Sequence, residues 1–345
     1  MSYSRILIVR MSALGDVIMT LPCLSVLRTS YPSAHIAWLV NKSNAPLLQG
    51  NPLLNEVIPF DRQHFSNPLN WLDLIKVTRH LRKQNFDLVI DFQGLFKSSF
   101  LTYATHAPIR VGSGENREGS AIFYTHRVDI RRANYHGVDW QLQFLKTIPG
   151  IQLAKEIPIQ FSFPDFSFAR NSLADKLRSA GLKESFSFVA VVPGARWKTK
   201  EWLLERFAEL ADKITKESGL PTVLIGGKED IEKGQIVQSL QKNKSVNMIG
   251  NTNLPELALL LKQAKVLVTN DTGPMHLGYA LGTPVIAIHG PTDSRLTGPY
   301  GTHHIVIKVD VPCGPCFKKI CPGYGHVCMK NITADMVYAK VSAYL

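Results

Sequence analysis

The chain has 345 residues, 45% of them hydrophobic and 19% charged, with a formal charge of +12 at pH 7. That balance marks a globular protein too long for one typical core, so two domains are expected. No run of about 18 apolar residues occurs, which excludes a bilayer-spanning helix, and the basic excess narrows the partners to nucleic acid, an anionic membrane surface or anionic substrates.

Residues 5–10 read as a first buried strand and 15–27 as the helix after it. The apolar core of that strand, Ile6 to Val9, is short, is interrupted by Arg10 and is followed by Gly15-Asp16. It does not read as a signal peptide, so a cytosolic location is expected. Strands over 35–40 and 56–60, an amphipathic helix over 70–83, a strand over 87–91 and a helix over 94–103 follow. Short apolar runs alternating with helical patterns predict an α/β fold with a doubly wound parallel sheet. Residues 148–164, with Pro149, Pro158 and Pro164, break the alternation and read as a linker.

A second set then begins, with strands over 186–192, 222–226, 246–249, 266–270 and 285–289 and helices over 203–216, 231–241 and 254–263. The expected division is a Rossmann-like domain over 1–160, a second over 161–330, and a helix over 331–345 packing back toward the N-terminal domain. Two such domains would face each other across a cleft between two sets of strand carboxyl ends, where ligands bind in these sheets.

Two loops carry chemistry. Met11 to Asp16 follows the first strand and opens the first helix, yet it has Gly15 alone where a dinucleotide fingerprint needs G-x-G-x-x-G. No Walker sequence occurs either, so hydride transfer and ATP hydrolysis lose their usual marks. Asp16 fits two roles, a partner for the helix dipole or a general base. In the second half, Val266 to Val268 run into Asn270-Asp271-Thr272-Gly273 and then a helical pattern, which reads as strand, tight turn, helix. The unpaired N–H groups of that helix suit a phosphate. Asp271 and Thr272 can cap it, Gly273 allows close approach, Pro274 suits the first turn, and His276 projects from that turn toward the same ligand.

Cys313, Cys316, Cys321 and Cys328 crowd one segment with C-x2-C-x4-C-x6-C spacing. The spacing suits a thiolate metal site, or disulfides in a secreted chain; a cytosolic chain favours reduced thiols. Cys23 falls on the apolar face of the first helix and reads as core. Basic residues are spread over Arg79, Arg82, Lys83, Arg127, Arg131, Arg132, Lys318 and Lys319. No aromatic-interleaved basic module accompanies them, so nucleic acid is not expected.

The stretches Ile-Leu-Ile-Val-Arg-Met-Ser-Ala-Leu-Gly-Asp-Val-Ile-Met-Thr-Leu-Pro, Asp-Phe-Gln-Gly-Leu-Phe-Lys-Ser, and Asn-Asp-Thr-Gly-Pro-Met-His-Leu with Gly-Pro-Thr-Asp resemble the family-9 glycosyltransferases, the bacterial lipopolysaccharide heptosyltransferases. The likeness runs in order from about residue 5 to the C-terminus. It implies a GT-B architecture, transfer of heptose from ADP-L-glycero-D-manno-heptose to the Kdo-lipid A inner core with inversion, and neither metal nor cofactor. On matching positions it implies Asp16 as the catalytic base, and Lys200, Asp271, Thr272, Gly273 and His276 on the donor. Arg62, Lys97 and Arg117 match or lie near basic positions for the acidic sugars of the acceptor. Ala195-Arg196 departs from the paired threonines of some members, which makes Arg196 the phosphate partner there. The four-cysteine pattern is shared by related members without a known metal, so none is expected.

The resemblance favours the enzyme that adds the first heptose, peripheral on the cytoplasmic face of an anionic inner membrane; the alternative within the class adds the second. A non-catalytic nucleotide-sugar-binding protein would keep Asp271 and His276 without needing Asp16. An epimerase or dehydrogenase would carry a glycine-rich fingerprint and a Tyr-x-x-x-Lys pair, and the sequence has neither.

Overall fold

The computed structural model describes residues 3–61, 71–151, 159–182 and 186–345. The chain forms two compact units, Met1–Asp165 and Phe166–Leu345.

The first unit holds β1 (Arg5–Val9), β2 (His35–Asn41), β3 (Glu56–Phe60), β4 (Leu88–Asp91), β5 (Ile109–Ser113) and β6 (His126–Val128) in one sheet of order β3-β2-β1-β4-β5-β6. The second holds β7 (Val189–Val192), β8 (Thr222–Leu224), β9 (Val246–Asn247), β10 (Val266–Asn270), β11 (Val285–Ile288) and β12 (Ile305–Ile307) in the order β12-β11-β10-β7-β8-β9. Counted from its own first strand, the second order is the first read from the other edge. All pairings are parallel. Both are therefore doubly wound, and in each the strand order reverses between the first and fourth strands, β1 and β4 or β7 and β10. The carboxyl ends at such a reversal are where open α/β sheets bind ligands.

Central strands are near-continuous apolar runs because helices cover both faces: Ile6 to Val9, Leu88 to Ile90, Val189 to Val191 and Val266 to Val268 are all fully buried. Helices present one stripe. In Leu204–Ser218, Phe207, Leu210, Ala211 and Ile214 face the core, and Gly219 ends the helix with a left-handed φ of 70°. In the helix Trp71–Lys83, Leu74 and Leu81 pack into the core while Leu72, Arg79 and Arg82 face solvent.

Three strands escape the sequence reading because they lie at or near sheet edges and are short or interrupted. β5 contains Arg110 and Gly112, β6 is His126-Arg127-Val128, and β12 has three residues. The helix expected to pack back toward the N-terminal domain belongs to the core of the second unit. In Ala334–Val341, Val337 and Val341 are fully buried in that unit's core against Leu204–Ser218, and Lys213 both pairs with Asp335 and lies over the Tyr338 ring.

Candidate functional site

In the first unit the end of β1 is dominated by a buried cation. Arg10 is 2% exposed; its Nη1 donates to Phe92 O and its Nη2 lies 2.7 Å from Asp16 Oδ1. Burial lowers its pKa, which the carboxylates of Asp16 and Asp91 oppose. Asp16 stands in the first turn of the helix Leu14–Ser30, where Oδ2 accepts the Ala13 N–H at 3.1 Å and Oδ1 also meets Arg132 Nη2 at 3.4 Å. Asp16 thus uses both carboxylate oxygens, one on the backbone of the first turn and one on two guanidiniums. Arg132 reaches it from a position over the Trp140 ring, 5.6 Å from the centroid.

The neighbouring strand supplies the support. Asp91, at the end of β4, is fully buried, and burial raises its pKa against the pull of its hydrogen bonds. It accepts the N–H groups of Gln93 and Gly94 and the Tyr124 hydroxyl at 2.8 Å. Tyr124 lies where a Cβ on Gly112 would stand, 2.2 Å from its Cζ, so this contact requires glycine there. Gln93 Oε1 in turn accepts the N–H groups of Met11 and Ser12, fixing the loop that delivers Asp16. Arg10, Asp91, Gln93, Tyr124 and Arg132 are missed as site residues by sequence reading. Arg10 left a signal as a charge inside an apolar strand, and Asp91 and Gln93 lie in one of the stretches that carry the family resemblance.

Of the expected acceptor residues, Arg62 lies outside the described residues. Lys97 and Arg117 are exposed and flank the two ends of a hydrogen bond from Phe96 N–H to Glu118 Oε2.

In the second unit Asp271, 5% exposed, stands just after β10, the counterpart of β4. Its Oδ2 receives Lys200 Nζ at 2.7 Å and the Thr292 hydroxyl at 2.7 Å. Burial pushes its pKa up, and the charges of His289, Lys200 and His276 outweigh it, so the net direction is down. Lys200 also lies over the Trp197 ring, 4.8 Å from the centroid. His289, which sequence reading placed only in a strand, is 1% exposed; its Nδ1 is 3.4 Å from the Thr292 hydroxyl, and its Nε2 is buried without a hydrogen-bond partner. Burial lowers its pKa. His276 is buried in the first turn of Gly273–Ala280, with Nδ1 3.3 Å from the Tyr279 hydroxyl.

One expectation about this turn is corrected. Thr272 occupies the cap position but makes no side-chain cap hydrogen bond, and the Asp271 carboxylate is engaged by Lys200 and Thr292. That leaves the amides at this helix start without a side-chain cap from either residue. Asn270 provides the local cross-link, donating to Pro193 O at 2.9 Å and accepting the Trp202 N–H. Beside the turn, a groove of about 660 Å³ is lined by Arg196, Lys198, Glu229, Asp230 and Thr272 among others. The Asp230 carboxylate fills the space a Cβ on Gly194 would need, 2.1 Å away.

The cysteine segment packs around the same loops. Thr199 Oγ1 donates to Lys318 O at 2.6 Å, His326 Nε2 lies 2.6 Å from Thr199 O, and Phe317 N–H donates to Pro291 O. All five cysteines are free, and burial followed by the other three cysteines of the segment raises the Cys328 thiol pKa. Among the described residues no group of three or more His, Cys, Asp or Glu could hold a metal.

Residues 74–325 match the family model "Glycosyltransferase family 9 (heptosyltransferase)". The chain is 30% identical to lipopolysaccharide heptosyltransferase 1 of Pseudomonas aeruginosa, over 92% of this chain and 87% of that protein. It is 27% identical to lipopolysaccharide heptosyltransferase 2 of Escherichia coli, over 99% and 98%. Its structure superposes on a crystal structure of a family-9 glycosyl transferase from Veillonella parvula with a TM-score of 0.85 and 27% identity, over 99% of this chain and 97% of that one.

Proposed function

The chain belongs to glycosyltransferase family 9, the heptosyltransferases, and from that membership we propose that it moves heptose from ADP-L-glycero-D-manno-heptose onto the Kdo region of lipid A, adding the first heptose. The observation that carries the reading is the pair of reversal points. One holds a carboxylate gripped by two guanidiniums, the other a buried Lys200–Asp271 pair beside a helix N-terminus and a groove.

Inverting transfer is a single displacement. The acceptor hydroxyl oxygen forms the new bond to the anomeric carbon, the bond from that carbon to the diphosphate oxygen breaks on the opposite face, and the hydroxyl proton must go to a base. We assign that base to Asp16, with Arg10 and Arg132 fixing its orientation. The electron pair leaves with ADP, whose growing charge we place against Lys200, Arg196 and the N–H groups opening Gly273–Ala280, with His276 beside them. Fixed positive potential of this kind stabilises a leaving phosphate, and no metal or cofactor enters the proposal. Lys97, Arg117 and Arg62 supply charge for the acidic acceptor.

The first-heptose assignment follows the Pseudomonas aeruginosa relative, while the likeness to heptosyltransferase 2 over nearly the full chain makes second-heptose transfer the rival. Mass spectrometry of products formed from ADP-heptose with Kdo-lipid A, and with the same acceptor already bearing one heptose, separates them. A heptose added only to the second acceptor would favour the rival. Among the described residues no helix is long and apolar enough to cross a membrane, and we propose peripheral attachment at the cytoplasmic face of the inner membrane.

A further inference from the structure

The helix Phe96–Ala104 carries Phe96, Phe100 and Tyr103 at i, i+4 and i+7, so the three rings share one face. All three meet Phe123, with centroids 5.6, 6.4 and 5.6 Å away. The patch is not a sealed core: Phe96 is 45%, Tyr103 48% and the adjoining Ile122 70% exposed. Exposed apolar patches of this kind mark interaction surfaces.

The surround is basic. Lys97 follows Phe96 on the helix and Arg117 opens the segment Arg117–Phe123. The Arg110 guanidinium lies over the Tyr103 ring, 5.5 Å from its centroid, and donates to Phe123 O, while Arg127 donates to Ala121 O. Of the nearby acids, Glu118 accepts the Phe96 N–H and Glu115 the Arg132 N–H. Aromatic rings with an aliphatic tip, rimmed by cations, match the chemistry of an anionic bilayer interface, where amphipathic rings sit at the headgroup level and basic residues meet lipid phosphates.

We propose that this patch docks the first unit on an anionic phospholipid membrane, with Ile122 and Phe96 entering the headgroup boundary. The inference rests on the reading of the acceptor as a lipid. Lys97 and Arg117, assigned above to the acceptor's acidic sugars, stand at the rim of the patch, which is where the sugars of a lipid held in the bilayer emerge.

The test uses the full chain with vesicles of phosphatidylethanolamine and phosphatidylglycerol, comparing Ile122→Glu and Phe96→Glu with Phe168→Glu, a change at a 71% exposed apolar residue of the second unit. Cosedimentation should weaken about tenfold for each patch variant and not for Phe168→Glu. Turnover on acceptor embedded in the vesicles should fall with it, and turnover on a deacylated, water-soluble acceptor should stay at the wild-type level. Unchanged vesicle binding by both patch variants would overturn the proposal and assign the patch to a protein partner. Equal losses on embedded and soluble acceptors would overturn it too, placing the patch in the sugar site. Wild-type protein that binds vesicles through the patch yet transfers heptose to neither acceptor would remove the functional reading and leave the membrane surface standing.

Discussion

Lys200 Nζ lies 2.7 Å from Asp271 Oδ2, in a pair whose carboxylate side chain is only 4% exposed. The ammonium assigned to the donor diphosphate therefore also neutralises a buried charge, and its loss should be felt twice. Lys200→Ala should weaken ADP binding by about 1–3 kcal/mol through the lost charge-assisted contact. It should also destabilise the fold by about 3 kcal/mol, because Asp271 is left buried without its counter-ion. Calorimetry with ADP reads the first effect and urea unfolding the second. Adding Asp271→Asn should return part of the stability but none of the affinity.

His289 gives the second unit a pH dependence of predictable sign. Burial lowers its pKa from the ordinary 6.5, so the unfolded chain binds a proton at this position before the folded chain does. Its contribution to stability is full above 6.5 and is lost as pH falls from there toward the folded value. Asp271, lowered from 3.8, contributes stability above that value that is lost as pH falls through its folded pKa. The urea midpoint of wild type should fall between pH 7.5 and pH 5.5, and His289→Leu should flatten that slope and, by removing one of the charges that lower Asp271, lessen the loss below pH 4 as well. Identical slopes in both proteins would show that His289 does not titrate on unfolding.

Gly194 has no room for a side chain. A Cβ there would stand 2.1 Å from Asp230 Oδ1, and Asp230 is itself paired with Lys233 at 2.7 Å. Gly194→Ala should cost about 1–3 kcal/mol as the carboxylate is displaced, and ADP binding in the adjoining groove should weaken with it. Wild-type unfolding and affinity would mean that Asp230 moves aside freely.

In the first unit, Arg10→Met keeps much of the volume of the buried side chain but frees Asp16 from its closest partner. Turnover should fall about 10- to 100-fold, the effect of loosening a reacting group's geometry, with ADP affinity unchanged. Wild-type turnover in the Arg10→Met variant would mean that the Arg10 contact is not needed to orient the base.

The architecture was legible at the central strands and the turns that follow them, where a residue's role is local. The buried runs of β1, β4, β7 and β10, the Asp16 turn and the segment from Asp271 to His276 all show strand, turn and helix within a few residues. Roles assembled from distant parts of the chain were not legible. Arg10 reads as an interruption because what makes its burial tolerable, Phe92 O, Asp16 and Asp91, lies on separate loops. Gly112 reads as a strand weakness until Tyr124 is seen lying on it. The C-terminal helix shows its apolar face, Val337 and Val341, but nothing local says which unit that face meets.

The central claim is that Asp16 takes the proton of the attacking hydroxyl. The most direct measurement is the initial rate of heptose transfer by Asp16→Asn, followed by mass spectrometry at saturating ADP-heptose and acceptor, with ADP affinity measured alongside. The change keeps the side chain's size and a carbonyl oxygen for Ala13 N–H, so donor binding in the second unit should persist, while Arg10, buried without the carboxylate 2.7 Å away, should lower stability by about 3 kcal/mol. The rate should drop by about 100-fold or more. A near-normal rate with both substrates saturating would contradict the assignment and move the base elsewhere.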